Sequence, residues 1–155
     1  MRKLWPLFGP RNNAVDNPRS IFLRIPSSYD HVHLLGGAIK GVLKEKVEDE
    51  QELYLLELAV CEAVTNSIKH AYKSIPENFV CLEITISGHE LVFKVKDQGQ
   101  SLADGILRNR KIDEESICAN TCEGGRGIPL IKGIMDQVYY HSDDQENCLT
   151  MVKRI

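Results

Sequence analysis

Leu58-Ala-Val-Cys-Glu-Ala-Val-Thr-Asn-Ser-Ile-Lys-His-Ala-Tyr72 is the stretch on which the rest of the chain can be hung. Just upstream, Glu48-Asp-Glu-Gln-Glu52 gathers acid where the positive end of a helix dipole favours it. The spacing predicts a helix from there to about Tyr72. Leu53, Leu56, Val60, Ala63, Val64 and Ser67 recur at helical intervals and form its buried stripe. Glu62 and Asn66 are four residues apart and so share one face. At about 100° per residue they stand about 200° round from Val64, away from part of that stripe. Taken alone, such a pair is either a solvated helix face or two polar groups presented to a cleft.

Outward from this helix, the chain alternates between the two periodicities. Ile21 to Ile25 reads as a short strand ended by Pro26. Ser27, Ser28 and Asp30 are candidate N-caps for a helix over about 31–46, whose apolar positions are Val32, Leu35, Ile39, Val42 and Leu43. Gly36, Gly37 and Gly41 weaken that helix on propensity and point to close packing. Downstream, a turn over Ser74 to Asn78 leads to Val80–Ile86 and Leu91–Lys96, two strands of a hairpin. Residues 98–124 are polar and irregular, with a short helical hint from Leu102 to Arg110. So long an irregular stretch in a small domain reads as a lid or as disorder. Gly127 to Met135 is a helix with Pro129 in its first turn, where proline is tolerated. Gln137–His141 and Cys148–Ile155 are closing strands. The order implies an α+β fold of two layers, helices on one face of a mixed, mainly antiparallel sheet. Residues 1–19 read as a tail and 20–155 as one domain.

Composition narrows the function classes. The chain has 155 residues, 43% of them apolar, which supports one well-filled core. Nineteen basic against 22 acidic residues leave a net charge of -3, which disfavours direct nucleic-acid binding. No apolar run approaches the roughly 18 residues of a membrane span, and Met1 to Pro10 lacks the apolar centre of a secretory signal. A cytoplasmic protein without a membrane role is expected. Five scattered cysteines fit a reducing compartment better than a disulfide framework. Only Cys118 and Cys122 lie close together, and no second ligand pair completes a zinc site.

Three short pieces, in order, carry the chemistry: Glu62-x-x-x-Asn66 on a helix, Asp97-Gln-Gly99 after a strand, and Gly125-Arg-Gly127 opening a helix. A carboxamide oxygen is a hard neutral ligand suited to Mg²⁺. A glutamate one turn earlier can serve the same cleft as a base. Asp97 is an acceptor-only carboxylate that can take the exocyclic amine of adenine and would repel the oxygen guanine offers there. Gly99 admits a base close to the backbone. Gly125 and Gly127 expose backbone N–H groups to phosphate at a helix start. Each piece alone is commonly a solvated face, a turn or a loop; together, flanking a lid-length segment, they point to a nucleotide site.

With these residues the chain resembles the GHKL ATP-binding superfamily. Leu58–Tyr72 is similar to its N-box, Asp97-Gln-Gly99 to its G1 box, and Gly124-Gly-Arg-Gly-Ile-Pro-Leu-Ile131 to its G2 box. The likeness is greatest to the RsbW/SpoIIAB-like anti-sigma-factor serine kinases and runs from about Ile21 to Ile155. It implies the Bergerat fold, ATP and Mg²⁺ bound between helices and lid, and often a homodimer. By this resemblance Asn66 holds Mg²⁺, Glu62 is the catalytic base, Asp97 and Gly99 receive adenine, and Gly125 and Gly127 support the phosphates. Arg126 is a candidate phosphate contact. Two departures stand out: Ser101 occupies the place of the second G1 glycine, and Glu146-Asn147 stand where a Gly-Thr pair often precedes the last strand.

The function so implied is an ATP-dependent protein-serine kinase of partner switching. Its substrate would be a serine on a STAS-domain anti-sigma-factor antagonist, and it would alternately sequester a sigma factor or similar regulator. The alternative is an ATP-binding module that sequesters a partner without catalysis. A detached histidine-kinase ATPase domain is a weaker rival, since no helix with a phospho-accepting histidine precedes Ile21.

Overall fold

A computed structural model describes residues 17–101, 110–111 and 127–155. Most of the tail, most of the expected lid, Gly125, Arg126, Cys118 and Cys122 lie outside the described residues. Strand β1 (Arg19–Pro26) is followed by a 3₁₀ turn (Tyr29–His31), helix α1 (Val32–Leu43) and helix α2 (Glu50–Asn66). The strands β2 (Phe79–Ile86) and β3 (Glu90–Asp97) come next. The two-residue β4 (Arg110–Lys111), helix α3 (Gly127–Ile134), β5 (Gln137–Ser142) and β6 (Asn147–Arg154) follow.

The sheet runs β1-β2-β3-β6-β5-β4. Every pairing among the described residues is antiparallel, where the sequence had allowed a mixed sheet. The period-2 pattern decides which face is covered. Val80, Leu82, Ile84 and Ile86 on β2 and Leu91, Phe93 and Val95 on β3 are buried, while their neighbours alternate outward. Phe93 sits between Ile84 on β2 and Met151 on β6 and is fully buried. The three helices cover this face. α2 packs against β3 and is flanked by α1 and α3; α1 also meets β1, and α3 meets β5. The stripe expected on α2 is buried at every position from Leu53 to Ser67.

Local chemistry sets the helix ends. Ser28 caps the 3₁₀ turn through Asp30 N–H, and Asp49 caps α2 by accepting from Gln51 N–H at 2.9 Å. Of the three glycines on α1, Gly36 is the one that needs to be small: a Cβ there would come within 2.6 Å of Glu57 Oε1 and 3.4 Å of Cys61 Sγ on α2. Gly37 and Gly41 meet nothing within 4 Å.

Two differences from the sequence reading concern the functional end. The long helix does not reach Tyr72 as α-helix. After Asn66 it widens into a π turn over Ser67–Ala71, with Tyr72 N–H donating to Ser67 O at 3.1 Å. Lys73 and Ser74 then take left-handed φ values of 50° and 61°, and Ser74 N–H donates back to Ile68 O, closing the helix end. The second difference lies in the expected lid, where Arg110–Lys111 forms strand β4. It pairs with Tyr140 and Tyr139 and so supplies hydrogen-bonding partners to the outer edge of β5.

Candidate nucleotide site

The site is built where the carboxyl end of α2, the end of β3 and the start of α3 converge. Glu62 and Asn66, in the last turn and a half of α2, are half-buried. α3 begins directly against them. A Cβ added to Gly127 would collide with Glu62 Oε1 and lie 2.8 Å from Asn66 Nδ2 and 3.2 Å from Glu62 Cδ. The amino end of α3 thus faces the carboxylate and the carboxamide at close approach, the two side-chain ends filling the space a Cβ would take. Among the described residues no hydrogen bond or ion pair holds either side chain. His70 feels the charge of Glu62, but partial loss of water and the neighbouring Lys69 hold its imidazole below the ordinary value.

Asp97 presents the opposite condition. It is 7% exposed, at the last position of β3. Asn147 Nδ2 donates to its Oδ1 at 2.7 Å and Gly99 N–H donates to the same oxygen at 3.1 Å. The Ser67 hydroxyl faces the carboxylate as well and favours its charged form. Burial pushes the Asp97 carboxyl above its ordinary value, and these three neighbours oppose that push.

The loop after Asp97 is pinned to the helix end. Gln100 N–H donates to Ala71 O at 2.9 Å, and Gly99 lies so close to Ala71 that a Cβ would fall 2.5 Å from its carbonyl carbon. Tyr72 Oη accepts from Gln98 N–H at 2.7 Å and donates to Phe79 O at 2.8 Å. Ser101, in the place of the second G1 glycine, lies with its hydroxyl 3.2 Å from that of Tyr140. The π turn is what brings Ser67 and Ala71 to this loop, in keeping with the frequent occurrence of such turns at functional sites.

Comparison with known proteins follows the same outline. The family model described as "Histidine kinase-like ATPase domain" matches residues 25–153. The chain belongs to that family. It is 30% identical over 139 residues to the serine-protein kinase RsbW of Staphylococcus epidermidis, covering 87% of this chain and 86% of that one. It is 29% identical over 127 residues to the RsbW of Listeria monocytogenes serotype 4a, covering 80% of each. Among solved structures, the RsbU and RsbW domains of a Mycobacterium tuberculosis protein superpose with a TM-score of 0.62 at 12% identity. That match covers 88% of this chain and 32% of the longer one. The SiaB–SiaC complex of Pseudomonas aeruginosa gives 0.57 at 18% identity, covering 85% and 88%. These two likenesses speak for the fold, which is the α+β histidine kinase-like ATPase sandwich expected from the sequence.

Of the residues singled out in the sequence, Glu62, Asn66 and Gly127 are brought close to one another, and Asp97 and Gly99 lie together at the end of β3. Gly125 and Arg126 lie outside the described residues. Ser67, Tyr72 and Asn147 were not assigned roles, although each shapes the Asp97 end. Asn147 had left a signal, as a departure from the family pattern. Among the described residues no group of three or more His, Cys, Asp or Glu side chains could hold a metal, and no helix is long and apolar enough to cross a membrane.

Proposed function

We propose that this chain is an ATP-dependent protein-serine kinase that works by partner switching, phosphorylating a serine on a STAS-domain antagonist and alternately gripping a sigma factor or similar regulator. The observation that carries the reading is the placement of Glu62 beside Asn66 at the amino end of α3, with Gly127 in close approach to both. A pure binder has no need of a base next to a metal ligand. The names of the RsbW relatives support the serine as acceptor.

The residues fit the group that the family implies. The Asn66 carboxamide oxygen is a hard ligand of the kind Mg²⁺ takes when phosphates and waters complete its shell. Bound there, Mg²⁺ would neutralise charge on the phosphate oxygens. Glu62, one turn away, is placed to accept the serine hydroxyl proton as the γ-phosphoryl group moves from the β-phosphate oxygen to the serine oxygen. Backbone N–H groups and the positive end of α3 stabilise the negative charge on the phosphates, with Gly125 and Arg126 as further contacts. Asp97 accepts the adenine amine, and Gly99 admits the ring. Self-association is proposed through β1 and α1, where Phe22 on the edge strand and Leu34 on the helix are well exposed.

The test is transfer of radiolabelled γ-phosphate to a partner co-purified from the source cell. The expected outcome is label on a serine of a small STAS-type protein. Grip that depends on ATP, with no transfer to any captured partner, would establish the alternative of a binding module.

A further inference from the structure

The pairing of β3, β6 and β5 sets three polar residues in one row on the covered face: Asp97 opposite Asn147, and Asn147 opposite Ser142. All three are buried. Asn147 Nδ2 has two hydrogens and both are used, one on Asp97 Oδ1 at 2.7 Å and one on the Gly99 carbonyl at 3.0 Å. Its Oδ1 accepts from Ser142 Oγ at 2.8 Å. Two acceptors on one side, a carboxylate and a carbonyl, fix which end of the amide is nitrogen. The amide is thus spent on the protein and has no donor left for a ligand. Asp97 Oδ1 is equally spent, accepting from Asn147 and from Gly99 N–H. The oxygen not committed to these two donors is the one left to serve a ligand.

We propose that Asn147 is a specificity-determining positioning residue, which acts through Asp97 to keep that carboxylate a fixed, pure acceptor and so sets the preference for an adenine over a guanine base. The inference rests on the reading of Asp97 as the base-recognition residue and adds to it the reason the acceptor stays an acceptor. A buried carboxyl that gained a proton would become a donor and could satisfy the guanine oxygen. Burial drives Asp97 in that direction and the Asn147 amide opposes it most strongly. Among the described residues, the groups that face Asp97 are Ser67 and Tyr72 from the turn after α2, Asn147 from β6, and Ser142 from β5 through Asn147. Tyr72 is the titratable one, and its hydroxyl is pushed above its ordinary value, chiefly by burial, so it stays neutral at physiological pH.

The experiment measures ATP and GTP affinity by calorimetry between about pH 5 and about pH 8. It uses the full chain and the variants Asn147→Leu, Asn147→Ala, Asn147→Thr, Ser142→Ala and Asp97→Asn. The ratio of the two affinities cancels titration of the triphosphate, which both nucleotides share. Loss of the donor in Asn147→Leu and Asn147→Ala should weaken ATP binding roughly tenfold, as expected for a lost charge-assisted hydrogen bond. It should also narrow the ATP:GTP ratio and move the pH at which that ratio collapses to a higher value. Asn147→Thr, which keeps one donor, should lie between these and the parent, and Ser142→Ala should shift the collapse slightly in the same direction. A merely structural defect would lower both affinities together and leave the ratio and its pH dependence alone. That result, or parental profiles in the Leu and Ala variants alongside a lost preference in Asp97→Asn, would overturn the role of Asn147 while leaving Asp97 as base reader. A parental ATP:GTP ratio in Asp97→Asn would instead remove the base-reader assignment itself. Should the Leu and Ala variants fail to fold, an unmoved collapse in Ser142→Ala decides against the proposal.

Discussion

The two ends of the site are held in opposite ways. At the end proposed to read the base, Asp97 is buried and held by Asn147 and Gly99, and the following loop is stitched to Ala71 and Tyr72. At the end proposed to carry the chemistry, Glu62 and Asn66 are half-buried and have no such hydrogen bonds among the described residues, with the start of α3 packed against them. A rigid acceptor discriminates between bases because it cannot turn to suit the wrong one. The proposed base and metal ligand would work on groups that move during transfer, which suits side chains whose hydrogen-bonding capacity is not used among the described residues. The same few residues of α2 and its π turn serve both ends, since Asn66 and Ser67 are adjacent in the chain.

The largest expected effect separates roles within the chemical end. Glu62→Gln should leave Mg·ATP affinity nearly intact and lower phosphoryl transfer by roughly 10²–10⁴, the range for loss of a general base. Asn66→Ala should lower affinity and transfer together. Calorimetry paired with the label-transfer assay checks both. Parental transfer by Glu62→Gln would break the division of labour described above.

Two glycine substitutions sharpen the comparison at an intermediate scale. In Gly99→Ala the new methyl meets the Ala71 backbone, 2.5 Å from its carbonyl carbon, and backbone cannot step aside. A loss of about 1–3 kcal/mol in stability is expected, the usual range for overpacking. In Gly127→Ala the methyl meets the far ends of the Glu62 and Asn66 side chains, which can move. Stability should fall less than in Gly99→Ala, while transfer falls more. Chemical denaturation and the transfer assay on the two variants read this difference; a Gly127→Ala protein with full activity would place the chemistry elsewhere.

The smallest effect is a stability difference with a definite sign. Burial raises the Asp97 carboxyl above its unfolded value, so the folded state holds the proton more tightly than the unfolded chain does. The ionised carboxylate therefore costs stability at neutral pH. That cost fades as pH falls through the raised value toward the ordinary carboxylate range. Asp97→Asn should consequently melt at or slightly above the parent near neutrality, and the parent should gain on it as pH falls. A parent that loses ground to Asp97→Asn on acidification would show that the internal donors outweigh burial.

The sequence by itself determined the elements and where along them the candidate residues stand. Periodicity placed the helices and strands, because burial of one face leaves a repeat of 3.6 or 2 residues in the chain. The same local geometry put Glu62 and Asn66 on one face, Asp97 at the end of a strand and Gly127 at the start of a helix. Tertiary structure alone decided what those residues meet. Asp97 and Asn147 are 50 positions apart and become partners through the register of β3 and β6. That register depends on every inward-facing side chain of both strands, and no short window of sequence records it. The π turn is of the same kind. The sequence from Ser67 to Ala71 supports a continuing α-helix, and its widening coincides with the contacts that Ser67, Ala71 and Tyr72 make with the end of β3 and the loop beyond it. The strand at Arg110–Lys111 is likewise defined by the edge of β5 that it pairs with, through backbone hydrogen bonds to which almost any residue could contribute.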